Sequence, residues 1–218
     1  IERLGLSGRV EDATVPTTYK IQYDIIGEPL VSIIIPNKDH TEDLEKCLSS
    51  VYQKSTYKNF EVIVVENNST ELETFEYYKA AQSKYSNLRI ITWESGFNYS
   101  AINNFAVEQA SGDYILLLNN DIEVITSDWI EQMLMFAQRK DVGAVGAKLY
   151  YSDRTIQHAG VVIGLGAHRT AGHVHYKQHR QNLGYMGRLC YAQNVSAVTG
   201  ACLMVKKHLF MEVGGLDT

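Results

Sequence analysis

The sequence lacks a long apolar run, a basic excess and more than three cysteines, and each lack excludes a class of protein. A membrane-spanning helix needs about 20 consecutive apolar residues, and no run approaches that length. The cysteines are odd in number and far apart, which favours a reducing compartment over a disulfide framework. The net charge of −5 leaves no basic excess to neutralise phosphates, so nucleic acid is not an expected partner.

Three well-known glycine-containing motifs are also missing. No Gly-x-Gly-x-x-Gly follows the first apolar strand, which argues against a dinucleotide-binding Rossmann unit. The sequence has neither a P-loop nor a Gly-x-Ser-x-Gly nucleophile elbow. Any phosphate would therefore have to be bound by a metal ion and side chains.

What the sequence does contain is an alternation of apolar strands and amphipathic helices. The predicted strands cover residues 31–35, 60–65, 88–93 and 114–118. The predicted N-caps of three helices are Thr41, Ser100 and Ser127. Such alternation implies parallel pairing with right-handed crossovers, and therefore an α/β fold with a mostly parallel central sheet flanked by helices.

The two ends of the chain depart from this alternation. Residues 1–30 are predicted to be a lead-in or linker, with a short edge strand at 21–25 as the alternative. Apolar, glycine-rich segments at 142–151, 156–165 and 195–205 predict a smaller mixed-strand part, and residues 168–193 a polar loop. Five histidines in this region lack the spacing of a known zinc site, so we expect loop histidines, one of them lining the substrate cleft. They are His158, His168, His173, His175 and His179.

Polar residues follow three of the predicted strands at the point where each strand ends. Asn37 and Asp39 follow the first strand, Glu66 the second, and residues 119–121 the fourth. Because ligands of parallel sheets bind beyond the carboxyl ends of the strands, we expect these groups to converge on one edge.

The residues alone leave the role of Asp121 open. Its carboxylate suits Mg²⁺ or Mn²⁺, which take few protein ligands and complete their shell with phosphate and water, and Asn119 could add an amide oxygen. The alternative is a simple Asx turn at the end of a strand. Glu66 and Asp39 are equally open, since each could bind a base or ribose or cap the turn that follows it.

Three segments, taken in order, carry a family resemblance. They read VSIIIPNKD (31–39), VVENNST (64–70) and SGDYILLLNND (111–121). Their order and spacing resemble the family 2 glycosyltransferases, which have the GT-A fold, and the likeness extends over residues 30–218. The subset that the chain looks like makes bacterial cell-surface polysaccharide and includes rhamnosyltransferases.

The resemblance implies a role for each residue at the strand ends. Asp121 would hold Mg²⁺ or Mn²⁺ on the donor diphosphate, with Asn119 standing where the family's Asp-x-Asp motif has its first Asp. Residues 200–202 would shape the acceptor side, and residues 214–217 resemble the family's Gly-Gly-Phe-Asp segment near the donor sugar. The residues that would line the nucleotide are Pro36, Asn37, Asp39, Glu66, Asn98, Asn103 and Asn120.

The resemblance also implies the reaction. A sugar would move from a UDP- or dTDP-sugar to a hydroxyl of a saccharide or lipid-linked acceptor, with inversion. Asp217 is the catalytic candidate within the chain. In the family an acid of a following Glu-Asp type motif is the base, so we expect the base beyond residue 218 in a longer protein.

The expected organisation is a lead-in at 1–30 and a GT-A domain at 31–218, divided into a nucleotide-binding half (31–125) and an acceptor-side half (126–218). The expected location is the cytoplasm, where the inner face of the membrane is one place of action. Two other functions stay open: a non-catalytic nucleotide-sugar-binding module, and a sugar-phosphate nucleotidyltransferase. A nucleotidyltransferase would require a Gly-rich, Arg-bearing loop after the first strand, which Asn37-Lys38-Asp39 does not supply.

Overall fold

The computed structural model of the protein describes residues 1, 3, 5–13, 15–165 and 170–218. Its strands are β1 (Gly8–Asp12), β2 (Tyr19–Tyr23), β3 (Val31–Asn37), β4 (Phe60–Glu66), β5 (Leu88–Thr92), β6 (Tyr114–Leu118), β7 (Ala144–Gly146), β8 (Leu149–Tyr150), β9 (Ile156–His158), β10 (Val161–Ile163), β11 (Ala171–His173) and β12 (Cys202–Lys206). Its helices are α1 (Thr41–Lys54), α2 (Leu72–Lys84), α3 (Tyr99–Gln109), α4 (Trp129–Ala137) and α5 (Lys207–Glu212).

Six strands form the central sheet, in the order β5-β4-β3-β6-β12-β7. β3 pairs in parallel with both β4 and β6, and β4 pairs in parallel with β5. The strands are parallel because each helical crossover returns the chain to the end of the sheet at which the previous strand began. β12 runs antiparallel between β6 and β7. The predicted α/β fold with a mostly parallel central sheet is therefore confirmed, and all four strands of the predicted alternation are present.

Both faces of the sheet are buried, as the continuous apolar sequences of its strands predict. Along β3, Ile33 and Ile35 pack into one layer and Ile34 into the other, since side chains alternate along a strand. Helices α1, α2 and α4 contribute to the first layer, and α3 and α5 to the second. Each such isoleucine, fully buried, contributes roughly 1.5–3 kcal/mol of burial free energy. The two layers hold the strands in register and so determine where their ends lie.

The chain changes direction across the sheet at β3. It moves outward from β3 through β4 to β5, then crosses back to place β6 on the other side of β3. Such a switch point opens a crevice at the carboxyl ends of the two neighbouring strands. Pairing of β3 with β6 stops at Ile34, whereas pairing with β4 continues to Asn37. Pro36, which has no backbone N–H, lies in the stretch that has a strand on one side only.

The three predicted helix N-caps are wrong by one or two residues. Thr41 is the first residue of α1, and the cap is His40. The cap of α3 is Asn98, whose side-chain oxygen accepts a hydrogen bond from the Ala101 amide at 3.0 Å. Asparagine caps a helix as well as serine does, because its carbonyl reaches the same N–H. The cap of α4 is Asp128.

The regions outside the alternation contribute β7 and β12 to the central sheet, and their other strands form small separate sheets. The lead-in carries the β1–β2 hairpin, so the strand predicted near residue 21 belongs to a two-stranded sheet and not to the edge of the central one. β8 pairs with β9, and β10 with β11. β11 lies inside the segment predicted as a polar loop, which is therefore partly strand, whereas His168 lies outside the described residues. Within the described ranges, no helix has the length and apolarity needed to cross a membrane.

Candidate functional site

The ends of β3, β4 and β6 carry a connected set of polar side chains, here called the carboxyl edge (residues 37–39, 66–69 and 119–121). Asn37 is central to it, since its Nδ2 donates to the Tyr78 hydroxyl and to the Asp39 carbonyl, both at 2.9 Å. Its Oδ1 accepts a hydrogen bond from Asn120 Nδ2 at 2.7 Å. This last bond spans the crevice between β3 and β6, so the first and third motif segments meet directly.

Glu66 joins the second segment to this set. It is 4% exposed, and its carboxylate accepts hydrogen bonds from the Tyr78 hydroxyl (2.6 Å) and from the amide (2.5 Å) and hydroxyl (2.6 Å) of Ser69. Burial, followed by the bond to Glu66, raises the pKa of the Tyr78 phenol, which therefore stays a hydrogen-bond donor. Glu66 thus caps the turn after β4. Its role at a base or ribose stays a prediction.

Asp39 also caps a turn. It has a left-handed φ of 50°, and its carboxylate accepts hydrogen bonds from the amides of Thr70 (2.9 Å) and Glu71 (3.0 Å) just before α2. The bond from the Glu71 amide is the main cause that lowers the pKa of Asp39, and it outweighs burial. The Asp39 amide donates in turn to the Ser69 hydroxyl at 2.9 Å, which links β3 to β4. A nucleotide-binding role for Asp39 stays a prediction.

The segment after β6 forms a tight turn with Asp121 as its exposed member. The Ile122 amide donates to the Asn119 carbonyl (3.4 Å), and the Asn119 amide donates to the Ala201 carbonyl (3.0 Å). This is a backbone β-turn and not the Asx turn expected as the alternative to a metal site, since the acceptor is the Asn119 carbonyl and not a side chain. The Asp121 carboxylate is exposed and forms no hydrogen bond or ion pair with the part of the chain that the structure describes.

Helix α1 holds this turn through three residues on one face, Cys47, Ser50 and Lys54. The Cys47 thiol donates to the Asn119 carbonyl at 3.7 Å. The Ser50 hydroxyl accepts a hydrogen bond from the Val124 amide (2.9 Å), and the Lys54 ammonium donates to the Val124 carbonyl (2.7 Å). This supporting role was not among the predictions from the sequence. The spacing i, i+3, i+7 on a helix is the signal that could have found it.

The cysteines near the turn are structural. Burial, and then the negative charge of Asp121, raises the pKa of the Cys47 thiol to about 12. Burial also raises the pKa of Cys202 to about 12. Both side chains are therefore protonated at neutral pH and poor nucleophiles.

A divalent ion at the carboxyl edge would have to share its shell with a ligand. In the described ranges, no group of three or more His, Cys, Asp or Glu side chains is arranged to hold a metal. Asp121 and Asn119 can supply one or two oxygens, which suits Mg²⁺ or Mn²⁺ when phosphate and water complete an octahedron. The donor set thus fits a metal that binds together with its substrate.

Two predicted nucleotide-binding residues on α3 lie outside this connected set. Asn98 caps the helix, and Asn103 is fully buried, with its Nδ2 donating to the Tyr99 carbonyl at 2.8 Å. The Tyr99 hydroxyl donates to the Gly200 carbonyl at 2.9 Å, which ties the start of α3 to the segment before β12. A Cβ at Gly200 would lie 2.6 Å from that hydroxyl, so a larger residue here would have to displace the Tyr99 ring.

Asp217 is exposed and lies on a segment that Asn104 holds. Asn104 Oδ1 accepts a hydrogen bond from the Leu216 amide (2.9 Å), and its Nδ2 donates to the Leu216 carbonyl (2.8 Å). Gly215 has a φ of 80°, and a Cβ there would come within 2.5 Å of Asn104 Oδ1. Asn104 was not among the predicted site residues, because its partner lies 112 residues away and no short-range pattern joins the two. No hydrogen bond within the described residues joins Asp217 to the carboxyl edge, so its catalytic role stays a prediction.

A cleft of about 450 Å³ lies beside the segment that leads into β12. Two histidines face each other in it, the buried His158 and the exposed His173, with 3.0 Å between their Nδ1 atoms. Burial, followed by the neighbouring His173, lowers the pKa of His158 to about 4, so this ring is neutral at pH 7. The residues that line the cleft are Tyr151, Gln157, His158, His173, Tyr176 and Thr199.

Comparison with known proteins identifies the family. The sequence profile described as Glycosyl transferase family 2 matches residues 32–214, and the chain belongs to this family. It is 47% identical over 203 residues to the uncharacterized protein y4gI of Sinorhizobium fredii, over 93% of this chain and 22% of that protein. It is 38% identical over 221 residues to the O-antigen biosynthesis protein RfbC of Myxococcus xanthus, over 99% of this chain and 17% of that protein. The chain thus spans about a fifth of the length of these two relatives.

A solved structure agrees with the fold. The mannosyltransferase PcManGT from Pyrobaculum calidifontis, in complex with GDP-Man and Mn²⁺, superposes with a TM-score of 0.63 at 16% identity. The match covers 89% of this chain and 49% of the mannosyltransferase. At this identity the likeness speaks for the fold alone, and the predicted GT-A fold is confirmed.

Proposed function

We propose that this chain is part of a glycosyltransferase of polysaccharide biosynthesis. Such an enzyme would move a sugar from a UDP- or dTDP-sugar to a hydroxyl of a saccharide or lipid-linked acceptor, with inversion. Residues 31–125 form the nucleotide-binding half, residues 126–218 the acceptor-side half, and residues 1–30 the lead-in. The protein acts in the cytoplasm, and its place of action includes the inner face of the membrane. The family membership and the O-antigen biosynthesis protein among its relatives support this proposal.

The observation that carries it is the Asn37–Asn120 hydrogen bond across the switch point, beside an exposed Asp121. The bond brings the ends of β3 and β6 together where an α/β sheet binds its ligand. It also leaves a carboxylate next to that crevice without a protein partner among the described residues. The cation of a metal–diphosphate complex would supply the positive partner that this carboxylate lacks.

Asp121, through its carboxylate, and Asn119, through its amide oxygen, would hold Mg²⁺ or Mn²⁺. When bound, the ion neutralises the negative charge that builds on the departing diphosphate. The chain's own contribution is preorganisation. Because Cys47 and Ala201 already hold the turn at Asn119, the Asp121 carboxylate needs little rearrangement to meet its ligand.

The proposed nucleotide-binding residues divide into two groups. The half-buried Asn120 lies at the crevice and is held there by the buried Asn37, whereas Asp39 and Glu66 hold the loops after β3 and β4 in shape through Ser69 and Tyr78. A pocket built this way loses little side-chain entropy when it binds a ligand. The full set is Pro36, Asn37, Asp39, Glu66, Asn98, Asn103 and Asn120.

Removal of the proton from the acceptor hydroxyl needs a base. Asp217 is the proposed catalytic residue within this chain, because its exposed carboxylate follows a segment that Asn104 fixes against α3. The family resemblance places the base itself in a later acidic motif. Complete transfer is therefore proposed for the longer protein.

A thermal-shift and calorimetric screen of UDP, dTDP and GDP, each with and without Mn²⁺, tests the donor site. We expect UDP or dTDP to stabilise the chain, and Mn²⁺ to increase the effect, because ligand binding to the folded state raises its stability. Asp121→Asn should remove the Mn²⁺-dependent part. Glu123→Gln is the matched control, since it removes another exposed acid from the same loop. Unlike Asp121, Glu123 is paired with Lys54. Absence of a shift with every nucleotide would contradict the proposal.

One observation favours the alternative of a non-catalytic nucleotide-sugar-binding module, namely that Asp217 is not joined to the carboxyl edge in the described residues. Nucleotide release from UDP- and dTDP-sugars by the longer protein, in the presence of a bacterial glycan fraction, decides between the two. Release that Asp121→Ala abolishes supports the transferase. Tight nucleotide binding without any release supports the module.

A further inference from the structure

Charge is distributed unevenly along the chain, and its basic part supplies the residues that line the cleft at Thr199. Residues 142–205 contain six Lys or Arg and a single acid, Asp153. The rest of the chain contains 14 Lys or Arg and 24 Asp or Glu, so this region is opposite in charge to the remainder. A local reversal of sign in an acidic protein points to an anionic ligand.

Three cations of this region stand over the rings of two consecutive tyrosines, Tyr150 and Tyr151, of which Tyr151 lines the cleft. Lys177 Nζ lies 3.8 Å from the centroid of the Tyr151 ring. The Arg180 guanidinium and Lys148 Nζ lie 4.9 and 5.4 Å from the centroid of the Tyr150 ring. These five residues form the basic tyrosine cluster.

The tyrosine rings position these cations without neutralising them. A ring attracts a cation through its quadrupole but carries no net charge. Among the described residues, the one acid that pairs with the cluster is Asp153, whose carboxylate lies 3.8 Å from Lys177 Nζ, and both side chains of that pair are about half exposed. Most of the positive charge therefore remains available to an incoming anion.

The cleft itself has the character of a saccharide site. Tyr151 and Tyr176, with ring centroids 6.1 Å apart and planes at 80°, offer apolar faces against which the C–H side of a sugar ring can pack. Gln157, His158, His173 and Thr199 supply hydrogen-bonding groups for hydroxyls. The volume of about 450 Å³ lies within the range of small-molecule sites.

The position of the cleft makes it an acceptor site rather than a second donor site. Thr199 in its wall is two residues from Ala201, whose carbonyl binds the Asn119 amide beside Asp121. The cleft therefore adjoins the carboxyl edge on the β12 side, away from the ends of β4 and β5. A membrane surface is a poorer match for the anion, since Lys177 stands over Tyr151 in the wall of a cleft lined by hydrogen-bonding groups.

We propose that this cleft binds the acceptor saccharide, and that the acceptor carries an anionic group which the basic tyrosine cluster recognises. The group is a phosphate or diphosphate attached to the sugar, or the carboxylate of an acidic sugar. The inference rests on the proposed glycosyltransferase function and adds the chemical class of the acceptor.

Calorimetric or ligand-observed NMR titrations without divalent ions test it with four probes: inorganic pyrophosphate, glucose 1-phosphate, glucuronate and uncharged methyl glucoside. We expect at least one anionic sugar probe to bind tenfold or more tightly than the uncharged glycoside, with an affinity that falls as salt rises. Preference for glucose 1-phosphate and pyrophosphate identifies a phosphate-linked acceptor. Preference for glucuronate identifies an acidic sugar.

The variant Lys177→Gln/Arg180→Gln should weaken binding of the preferred anionic probe tenfold or more and leave Mn²⁺-dependent nucleotide binding within twofold. Lys79→Gln/Lys84→Gln is the matched control, because it removes two charges from α2, including Lys84, which stands 5.1 Å over the Tyr85 ring. This control should change no affinity.

Three results would overturn the inference. The first is equal binding of charged and uncharged glucosides, and the second is unchanged anion binding in the Lys177/Arg180 variant. The third is binding to vesicles with anionic phosphatidylglycerol, abolished in that variant, when none of the small anionic probes binds. Nucleotide binding without anion binding would refute this inference alone, whereas loss of both would refute the proposed function as well.

Discussion

The two ends of strand β4 each carry a carboxylate that accepts several hydrogen bonds, and the surroundings of the two differ. At the carboxyl edge, Glu66 is bound by Ser69 and Tyr78. At the opposite end, Glu61 accepts hydrogen bonds from the Ser32 hydroxyl and the Ser111 amide, both at 2.6 Å. We call this opposite end the amino edge (Ser32, Glu61, Arg89, Ser111 and Gly112).

The amino edge is a closed structural lock. The Arg89 guanidinium donates to Glu61 at 3.1 Å, and the Gly112 amide donates to the Ser32 hydroxyl at 2.8 Å. The carboxyl edge, in contrast, ends in Asp121, which has no partner among the described residues. Similar side chains therefore serve stability at one end of the sheet and remain available for a ligand at the other. What separates the two edges is whether every charged group is paired within the protein.

The variant with the largest expected effect is Asp121→Ala at the carboxyl edge. In the longer protein we expect loss of sugar transfer, because the proposed metal loses its carboxylate. The free energy of unfolding of the chain should change by no more than about 0.5 kcal/mol, since the side chain is exposed and unpaired. Transfer assays and urea denaturation measure the two effects. Normal transfer by the variant would contradict the assignment of Asp121 as a metal ligand.

Gly112→Ala should have the largest effect on stability. An added Cβ would lie 2.6 Å from Ser32 Oγ and 2.7 Å from both the Leu30 carbonyl and the Ser32 amide. Two of these atoms belong to the backbone and cannot rotate away, so we expect a loss of roughly 1–3 kcal/mol, as for other overpacked sites. Gly143→Ala is the control, because a Cβ there meets nothing within 4 Å. Chemical denaturation that found the two variants equally stable would show that the amino edge is not closed.

Glu61→Gln tests whether the negative charge of the Glu61 carboxylate stabilises the amino edge. Burial alone would raise the pKa of Glu61, but the hydrogen bonds from Ser32 and Ser111 and the Arg89 charge lower it below its usual value of 4.5. The carboxylate therefore contributes stability that is fully present above the unfolded pKa and is lost as pH falls through the folded value. We expect Glu61→Gln to cost about 1–2 kcal/mol at pH 7. At pH 3 the difference between wild type and variant should shrink. A difference that stays constant from pH 7 to pH 3 would argue against an ionised lock.

Asn120→Ala should destabilise the protein less than either amino-edge variant. It removes the Asn37–Asn120 hydrogen bond across the crevice, worth about 1 kcal/mol in a half-buried setting. If the carboxyl edge is a ligand site, nucleotide affinity should fall more than this loss of stability explains. Denaturation and calorimetry on the same preparation compare the two losses. An affinity equal to that of the wild type would remove Asn120 from the site.

The pattern of apolar and polar residues predicted the elements that interactions between residues close in sequence determine. Continuous β-branched runs identified β3 and β4, and polar residues at their ends identified the edge where ligands bind. Pattern could not predict the Asn37–Asn120 bond, since 83 residues separate its partners, nor the clamp of Asn104 on Leu216, which are 112 residues apart. It left the alternatives at Glu66 undecided, because a carboxylate that caps a turn and one that binds a ribose have the same neighbours in sequence.

By itself, the amino-acid sequence determined the strand–helix order, the layers on both faces of the sheet and the family. These follow from the period of apolar residues and from motifs within short segments. Only the tertiary structure decided which polar groups are satisfied inside the protein and which, like Asp121, remain free for a ligand. It also placed Lys148, Lys177 and Arg180 over two consecutive tyrosines, one of which lines the cleft. Pairing of charges depends on distances through space, and packing of distant segments sets those distances.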